Sequence, residues 1–477
     1  MQYLGFDVYE KSINRLESFT IFMAKDNDET VIIIAAQGGE SGKALGFKGS
    51  DIGDGKFRVK LIHENALVLR KLFPFTTPVR GLSRPKSFGL GDRLGIATSG
   101  HIDLFEKNNV FPIFAQQSIR ELNLTGRCYE DVLDAVTFAV FREGYKKGFG
   151  ADGDHLKTAE DVEYALSLGF SMITLDCSEH IKNDLSQENL PDLTEQSAGK
   201  YLNKIFNIEE GISLVFNEVE LRQCIAIYDE VIKFTVDMYK RFFANGKYQA
   251  DFEISIDETF LATSPLQHFF IARELLDAGV LFASIAPRFC GDFQKGIDYR
   301  GDIAQFTKEI KYHAAIARHL GYKLSIHSGS DKFSVFPSIG RETRGVFHIK
   351  TAGTNWLEAM RIVSIIDPFL YREIHNYALT VFSEAKKHYH VTTDLSNIPD
   401  ISNVEDKDLP KLFENDDARQ VIHITYGQIL RAKNLDDSYV FKDRLYKLLN
   451  EHEGLYREAL VKHIGKHLDL LEPLAIA

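Results

Sequence analysis

KGFGADGDHLK, residues 147–157, is the most informative stretch of this 477-residue chain. Its first half is a short strand pattern punctuated by glycines, its second half contains the pair Asp154 and His155, and a helical pattern starts at about Thr158. In a barrel of alternating strands and helices, side chains at the carboxyl ends of the strands form the active site. The stretch therefore predicts an acid/base group beside a metal-type ligand at the end of a strand.

Seven further strand patterns surround this stretch, and most of them are followed by a helical pattern. The eight candidates are SFGLGD (87–92), VFPIFAQ (110–116), KGFGAD (147–152), FSMITLD (170–176), QADFEISID (249–257), VLFASIAP (280–287), KLSIHS (323–328) and VFHIKT (346–351). Strands that alternate with helices are typical of parallel α/β architecture. Eight units over roughly 280 residues predict a TIM-like (β/α)8 barrel, and an open doubly wound sheet is the alternative.

Two further segments flank the predicted barrel, which we place at residues 81–360. Residues 1–80 form a small N-terminal α/β unit, with a buried-strand run VIIIAA (31–36) and a turn at 51–55 before KFRVKLI. Residues 361–477 are a helical C-terminal extension. The pattern does not distinguish an extension that covers the barrel from one that forms a subunit contact, so a homo-oligomer stays open.

Composition restricts the class of protein. A formal net charge of −12 argues against non-specific binding to nucleic acid or to an anionic membrane. The four cysteines form no CxxC motif, which fits a reducing compartment. The start, MQYLGFDVYEKS, has no signal-peptide pattern, and the run VIIIAA is too short to span a bilayer. We therefore expect a soluble, cytoplasmic protein with no nucleic-acid or membrane partner.

Three histidines are candidate metal ligands. Side chains alternate across a strand, so His327 in KLSIHS and His348 in VFHIKT both face the barrel interior, while His155 follows the third strand. Three imidazoles with open positions suit a divalent cation, Zn²⁺ first, with Mn²⁺, Co²⁺ and Ni²⁺ as alternatives. A single barrel histidine is more often a hydrogen-bonding residue, and His180 after the fourth strand is a substitute ligand.

Acid/base chemistry needs carboxylates at the same end of the barrel. Asp154 and Glu258, at the ends of different strands, are the leading pair. Asp257 and Glu253 are the fallbacks, and Glu253 has a second interpretation as a partner for a cation deeper in the barrel.

Five residues near the predicted strand ends are candidates for binding an anionic substrate: Lys350, Arg288, Lys332, Ser330 and Gln116. Cationic groups there can bind a carboxylate or a phosphate. Each of the cations alone is more often part of a surface ion pair.

Gly148, Gly150 and Gly153 match the dinucleotide fingerprint GxGxxG. Asp152 and Asp154 would then direct negative charge at a pyrophosphate, and the helical pattern begins only after His155. We therefore reject a nicotinamide-binding function for this stretch.

The chain resembles the tagaturonate epimerase family of bacterial hexuronate catabolism. The similar stretches are SFGLGDRLG, GFGADGDHLKT, FEISIDET with TSPLQHFFIARELL, SIHSGSDKFSVFP, FHIKTAGTNWLEA and VIHITYGQIL. The resemblance implies a metal-dependent isomerase that interconverts the ketouronates D-tagaturonate and D-fructuronate at C4. It also implies an acid/base pair and histidine ligands, which fall on Asp154, Glu258, His155, His327 and His348.

The substrate implied by the resemblance favours one reaction route. C4, counting the ketone as C2, is two carbons from the ketone and from the carboxylate, so neither group acidifies its hydrogen. Two routes avoid that problem: transient oxidation at C4, which needs a nicotinamide for which the sequence has no credible fingerprint, and retro-aldol cleavage of C3–C4 followed by re-addition. We favour the second, because a divalent metal can stabilise the charge that develops. The alternatives are a metal-dependent sugar aldolase or ketose isomerase, and a sugar-acid-binding protein without activity.

Overall fold

An antiparallel sheet forms most of the N-terminal unit in the computed structural model, which describes residues 1–26, 29–36, 45–182, 190–259 and 261–472. Its strands are β1 (Gln2–Tyr3), β2 (Phe6–Val8), β3 (Asn14–Leu16), β4 (Phe19–Asp26), β5 (Glu29–Ala36), β6 (Gly49–Gly53) and β7 (Lys56–Val59), followed by helix α1 (His63–Leu72). The apolar run of β5 is buried, and one face of the sheet packs on Phe138 and Phe141 of the barrel layer.

Eight parallel strands then close into a barrel, and all eight predicted strands are among them. They are β8 (Lys86–Leu90), β9 (Phe111–Ser118), β10 (Gly150–Leu156), β11 (Met172–Asp176), β14 (Asp251–Ile256), β15 (Ser284–Pro287), β16 (Lys323–Ile326) and β17 (Phe347–Thr351). A small hairpin of β12 (Ile205–Asn207) and β13 (Ser213–Val215) lies between β11 and β14 along the chain. The predicted TIM-like barrel is confirmed, and the open-sheet alternative is wrong.

Helices follow the barrel strands and cover them. They are α2 (Thr98–Phe105), α3 (Ile119–Thr125), α4 (Tyr129–Glu143), α5 (Ala159–Ser167), α6 (Glu195–Tyr201), α7 (Glu218–Phe242), α8 (Pro265–Asp277), α9 (Ile303–Leu320), α10 (Phe336–Glu342) and α11 (Thr354–Ile366). The start of α5 shows the local cause: the Thr158 hydroxyl accepts the Asp161 N–H at 3.1 Å, satisfying a backbone donor at the helix N-terminus.

The C-terminal extension is helical, as predicted, although residues 473–477 lie outside the described part of the chain. Its helices are α12 (Pro368–Ala385), α13 (Asp416–Ile424), α14 (Tyr426–Arg431), α15 (Lys442–Glu451) and α16 (Glu453–Leu471). Helix α16 packs on α2, α10 and α11, and α13 together with the segment after α12 reaches the carboxyl ends of the barrel strands. The extension therefore covers the barrel. None of the helices in the described ranges is long and apolar enough to cross a bilayer.

Candidate active site

A cavity of about 210 Å³ lies at the carboxyl ends of the barrel strands. Nine of the ten residues predicted for the site line it: Gln116, Asp154, His155, Glu258, Arg288, His327, Ser330, Lys332 and Lys350. The cavity therefore lies where a barrel enzyme places its chemistry.

A bulge in β10 explains how Asp154 and His155, which are consecutive, can both reach this cavity. In a regular strand neighbouring side chains face opposite sides. Between Gly153 and Leu156 the pairing of β10 with β11 shifts by one residue, and His155 has a φ of 55°. That left-handed conformation costs about 1–3 kcal/mol for a residue with a side chain and is typical of functional sites. This backbone conformation directs the His155 imidazole toward the cavity.

His155, Asp257 and His327 form a group whose ligand-type atoms all lie within 4.8 Å of one another. The Asp257 Oδ1 atom is 3.1 Å from His327 Nδ1 and 3.8 Å from His155 Nε2. The outer nitrogen of each ring is held by a further carboxylate: Asp154 Oδ1 is 2.7 Å from His155 Nδ1, and Glu253 Oε1 is 2.8 Å from His327 Nε2. Histidines that ligate metals are typically oriented in this way.

The charges around this group favour a cation. Burial would lower the pKa of His155, but the carboxylates of Asp154 and Asp257 raise it well above its ordinary value. Burial would raise the pKa of Asp257, but the two neighbouring imidazoles hold it well below its usual range. The donor set consists of two imidazoles and a carboxylate, and a further carboxylate is bonded to the outer nitrogen of each ring. Such a set fits a divalent cation such as Zn²⁺.

His348 does not belong to this group, although it was predicted as the third ligand. Its Nδ1 atom is 3.0 Å from Ser87 Oγ, and burial lowers its pKa to about 3. The inward orientation predicted from strand alternation is correct, but His348 precedes Lys350 by two residues on β17 and so lies one layer deeper in the barrel. The structure places Asp257, predicted only as a fallback acid or base, beside the two upper histidines. His180, the substitute ligand, instead stacks on Phe234 with ring centroids 4.0 Å apart.

Lys350 is enclosed by carboxylates instead of facing the cavity as a free cation. Its ammonium lies 2.6 Å from Asp152 Oδ2, 2.5 Å from Asp154 Oδ1 and 3.4 Å from Glu253 Oε1, and it also donates to Thr174 Oγ1. Burial raises the pKa of Asp152 to about 6, even though Lys350 opposes that shift. Glu253 therefore pairs with a barrel cation, as in the second interpretation given for it above, but that cation, Lys350, lines the cavity instead of lying deeper in the barrel.

Glu258 lies nearer to solvent than these groups. Its side chain is 37% exposed, and its Oε1 atom is 3.8 Å from the Arg120 guanidinium, whose side chain is 40% exposed. Glu258 and Asp154 both line the cavity and both act on the charge of His155. Two carboxylates in different surroundings therefore flank the candidate metal group, as acid/base chemistry requires.

The remaining residues predicted to bind substrate have other partners. Lys332 donates its three hydrogens to the carbonyl oxygens of Gln294, Ile297 and Ser330, at 2.9, 2.6 and 2.8 Å. Arg288 lies 4.0 Å from Asp292. By contrast, the Oε1 atom of Gln116 is buried and has no hydrogen-bond partner in the part of the chain that the structure describes, so Gln116 has an acceptor free.

Sequence reasoning missed several residues that line the cavity. Arg93 is buried, pairs with Glu121 at 3.0 Å and lies 3.6 Å over the Tyr426 ring. His423 from α13 is so close to Gly353 that a Cβ there would lie 1.8 Å from the ring. Lys295 lies in the long loop after β15. Arg93 and His423 occur in the stretches SFGLGDRLG and VIHITYGQIL, but no local spacing rule identifies them as site residues.

A second cluster of the same residue types consists of Asp331, in the loop after β16, and of His463 and His467 on α16. The Arg419 guanidinium forms an ion pair with the Asp331 carboxylate, with Nη2 2.7 Å from Oδ2. The Asp331 N–H donates to His467 Nε2 at 3.0 Å. His463 contacts Asp331 through Nε2 and Glu358 through Nδ1. The ring nitrogens of this cluster have protein partners, as those of the first cluster do, but here a guanidinium supplies a permanent positive charge beside the carboxylate. We therefore interpret it as a structural contact between α16 and the loop after β16.

Comparison with known proteins agrees with this arrangement. The tagaturonate epimerase family profile matches residues 9–471. The chain is 44% identical to the tagaturonate/fructuronate epimerase of Thermotoga maritima, over 98% of this chain and 97% of that protein. The crystal structures of the fructuronate-tagaturonate epimerase UxaE from Cohnella laeviribosi, native and with one glycerol, superpose with a TM-score of 0.94 at 48% identity, covering 98% of this chain and 96% of theirs. The resemblance inferred from the motifs is confirmed: the chain belongs to the tagaturonate epimerase family and is an isomerase.

Proposed function

We propose that this enzyme interconverts D-tagaturonate and D-fructuronate at C4, using a divalent cation held by His155, Asp257 and His327. The observation that carries the proposal is this three-residue donor group, which faces a cavity also lined by Asp154 and Glu258. The family, and the activity named for the Thermotoga maritima and Cohnella laeviribosi proteins, support the substrate.

The cation, Zn²⁺ or alternatively Mn²⁺, Co²⁺ or Ni²⁺, would supply Lewis-acid stabilisation of the negative charge that develops on the ketose oxygens. The protein orients the ligands for it. Asp154 and Glu253 accept from the outer nitrogens of His155 and His327, which fixes the tautomers and directs the other nitrogens at Asp257.

The proposed reaction is cleavage and re-formation of the C3–C4 bond. One carboxylate removes the proton of the C4 hydroxyl, the C4–O bond becomes a carbonyl, and the electron pair of C3–C4 stays on the C1–C3 fragment. The C4–C6 aldehyde turns its other face, C3 attacks it, and the second carboxylate returns a proton to O4. We assign these two roles to Asp154 and Glu258, because both line the cavity, whereas Asp257 belongs to the donor group and Glu253 is fully buried below the lining.

The availability of both carboxylates supports this assignment. In the described structure, the two contacts of Asp154 with His155 and Lys350 use Oδ1, which leaves Oδ2 free to accept a proton. Burial opposes ionisation of Asp154, but Lys350 and His155 hold its pKa well below the ordinary value. Asp154 is therefore ionised at neutral pH, and Glu258 is partly exposed to the cavity.

An NMR assay of metal-loaded enzyme with D-tagaturonate in D₂O tests the proposal. We expect D-fructuronate that carries no deuterium at C4, because the C4–H bond never breaks, and trace aldehyde that a hydrazine reagent captures. Asp154→Asn and Glu258→Gln should each lower kcat by about 10²–10⁴-fold, the usual effect of removing a general acid or base. Glu160→Gln, an exposed residue of α5, is the matched control and should behave as wild type.

Each other result contradicts a specific part of the proposal. Deuterium at C4 would rule out the retro-aldol route, and tightly bound NAD with no aldehyde would favour transient oxidation. Net release of fragments would identify an aldolase, an aldose product would identify a ketose isomerase, and the absence of turnover would leave a binding protein.

We also infer a cytoplasmic enzyme whose partner is the small ketouronate. The four cysteines are free thiols, which is usual in a reducing compartment. The net charge of −12 supports the absence of a nucleic-acid or membrane partner. A homo-oligomer stays a prediction.

A further inference from the structure

The substrate proposed above carries a carboxylate, yet two of the three cations predicted to bind it, Lys350 and Lys332, are already engaged. Lys350 is surrounded by Asp152, Asp154 and Glu253, so its charge is already compensated. Lys332 has donated all three of its hydrogens to backbone carbonyls. An ammonium group has only three hydrogens to donate, so Lys332 has none left for a ligand.

Lys295 differs from both in its partners. It is half-buried and lines the cavity. Its ammonium donates to Ser328 Oγ at 3.0 Å, and among the residues that the structure describes no carboxylate lies within the 4.0 Å of an ion pair. Two of its three hydrogens are therefore available to a ligand, and the carboxylates that act on its charge, Glu258 and Glu121, do so from beyond ion-pair distance.

A second cation lies close to Lys295. Burial lowers the pKa of Lys295, and the nearby positive charge of Arg120 lowers it further. Arg120 forms a long ion pair with Glu258, at 3.8 Å, and lies 5.2 Å over the Tyr389 ring. Two neighbouring like charges are unfavourable by themselves and become favourable when an anion binds between them. This side of the cavity therefore has the electrostatics of a carboxylate-binding site.

The loop that carries Lys295 is held in place by contacts on both sides of it. Lys332 donates to the carbonyls of the residue before Lys295 and of Ile297, which follows it by two residues. Arg419 of α13 donates to the Gly296 carbonyl at 2.7 Å, and Gln420 donates to the Lys295 carbonyl at 3.2 Å. The ammonium is thus pre-organised, which reduces the entropy lost when a ligand binds.

We propose that Lys295, assisted by Arg120, binds the substrate carboxylate and so determines that the enzyme acts on ketouronates in preference to neutral ketohexoses. The inference rests on the proposed function and adds to it the group that recognises the acid. It also explains how the cleaved fragment is retained: the carboxylate of the C4–C6 aldehyde stays bound to Lys295 while its carbonyl end rotates.

Steady-state kinetics of Lys295→Met test the inference. A hydrogen bond between charged groups supports an increase of about 10- to 100-fold in KM for D-tagaturonate. The inhibition constant of D-fructose, a neutral ketohexose, measured against the same reaction should change less than about threefold, because D-fructose has no carboxylate. Lys295→Arg keeps the charge and should recover most of the affinity. Lys308→Met, on the exposed face of α9, is the matched control and should leave both constants unchanged.

The outcomes separate this inference from the proposed function. A wild-type enzyme that does not convert D-tagaturonate would overturn both. An active wild type combined with a Lys295→Met variant whose KM stays within twofold would overturn the role of Lys295 alone. Equal increases in KM and in the D-fructose inhibition constant would reveal general damage to the cavity and would also reject that role. Lys295→Gln, a second neutral variant, provides the same readout if the Met variant does not fold.

Discussion

The two histidine–carboxylate clusters of this molecule contain the same residue types but have opposite surroundings. In one, His155, His327 and Asp257 face the cavity, and carboxylates lie behind both rings. In the other, Asp331 and His467 are buried, His463 is half-buried, and Arg419 pairs with the Asp331 carboxylate. Both groups have ligand-type atoms within 4.8 Å of one another, so proximity does not distinguish them.

What distinguishes the clusters is the charge that already compensates the carboxylate. The Asp331 carboxylate has the Arg419 guanidinium at 2.7 Å, which is a permanent positive charge. Asp257 accepts from the Ser255 hydroxyl at 2.5 Å, and within the described residues the cationic groups at ion-pair distance from it are the imidazoles of His155 and His327, which can bind a metal once they are neutral. A cation is therefore expected at Asp257 and is superfluous at Asp331.

The largest expected effect is the loss of bound metal on replacing a ligand. His327→Ala should lower epimerase activity by more than about 10³-fold, since it removes a ligand and leaves Glu253 with one fewer partner. Elemental analysis of the purified variant should show less than one tenth of the wild-type metal content. His463→Gln, from the other cluster, should retain its metal. Retention of metal by His327→Ala, or its loss from His463→Gln, would reverse the assignment of the two clusters.

The second effect concerns stability. Arg419→Met leaves the Asp331 carboxylate buried without its strongest partner, and breaking a buried ion pair in this way costs about 3–5 kcal/mol. Thermal or urea unfolding of the metal-loaded enzyme measures it. Arg241→Met removes a solvent-exposed partner of Asp237 on α7 and is the matched control, expected to unfold close to wild type. Equal stabilities of the two variants would show that Asp331 does not depend on Arg419.

The smallest effect is a dependence on pH. Burial disfavours the charged form of His463, but Asp331 and Glu358 raise its pKa above the ordinary value. A raised pKa contributes stability that is fully present below the unfolded pKa of about 6.5 and is lost as pH rises through the folded value. The stability difference between wild type and His463→Gln should therefore be largest below about pH 6.5, at about 1.5 kcal/mol, and shrink at alkaline pH. A difference that grows with pH would contradict the pairing.

Strand alternation and turn patterns were sufficient to predict the barrel. All eight strands were located from runs such as KLSIHS, and the inward orientation of His327 and His348 follows from alternation alone. Depth within the barrel does not follow from alternation, because it depends on the stagger between strands. For that reason His348 was placed with His155, although it contacts Ser87 in a lower layer.

The bulge in β10 and the contacts between distant segments could not be predicted from sequence. A bulge is set by pairing with the neighbouring strand, so nothing local indicates that Asp154 and His155 both reach the cavity. Lys295 is in a loop without a motif, and its position depends on Arg419, more than a hundred residues later. Contacts of this kind arise from tertiary packing, for which a single sequence has no periodic signal.

The contacts of the C-terminal extension have a consequence for how the protein is made. The loop that carries Lys295 accepts hydrogen bonds from α13, and the loop after β16 contacts α16 through His463. A ribosome therefore releases all eight barrel strands before the residues that fasten both loops have been synthesised. The complete cavity therefore requires α13 and α16, which are synthesised after every strand of the barrel.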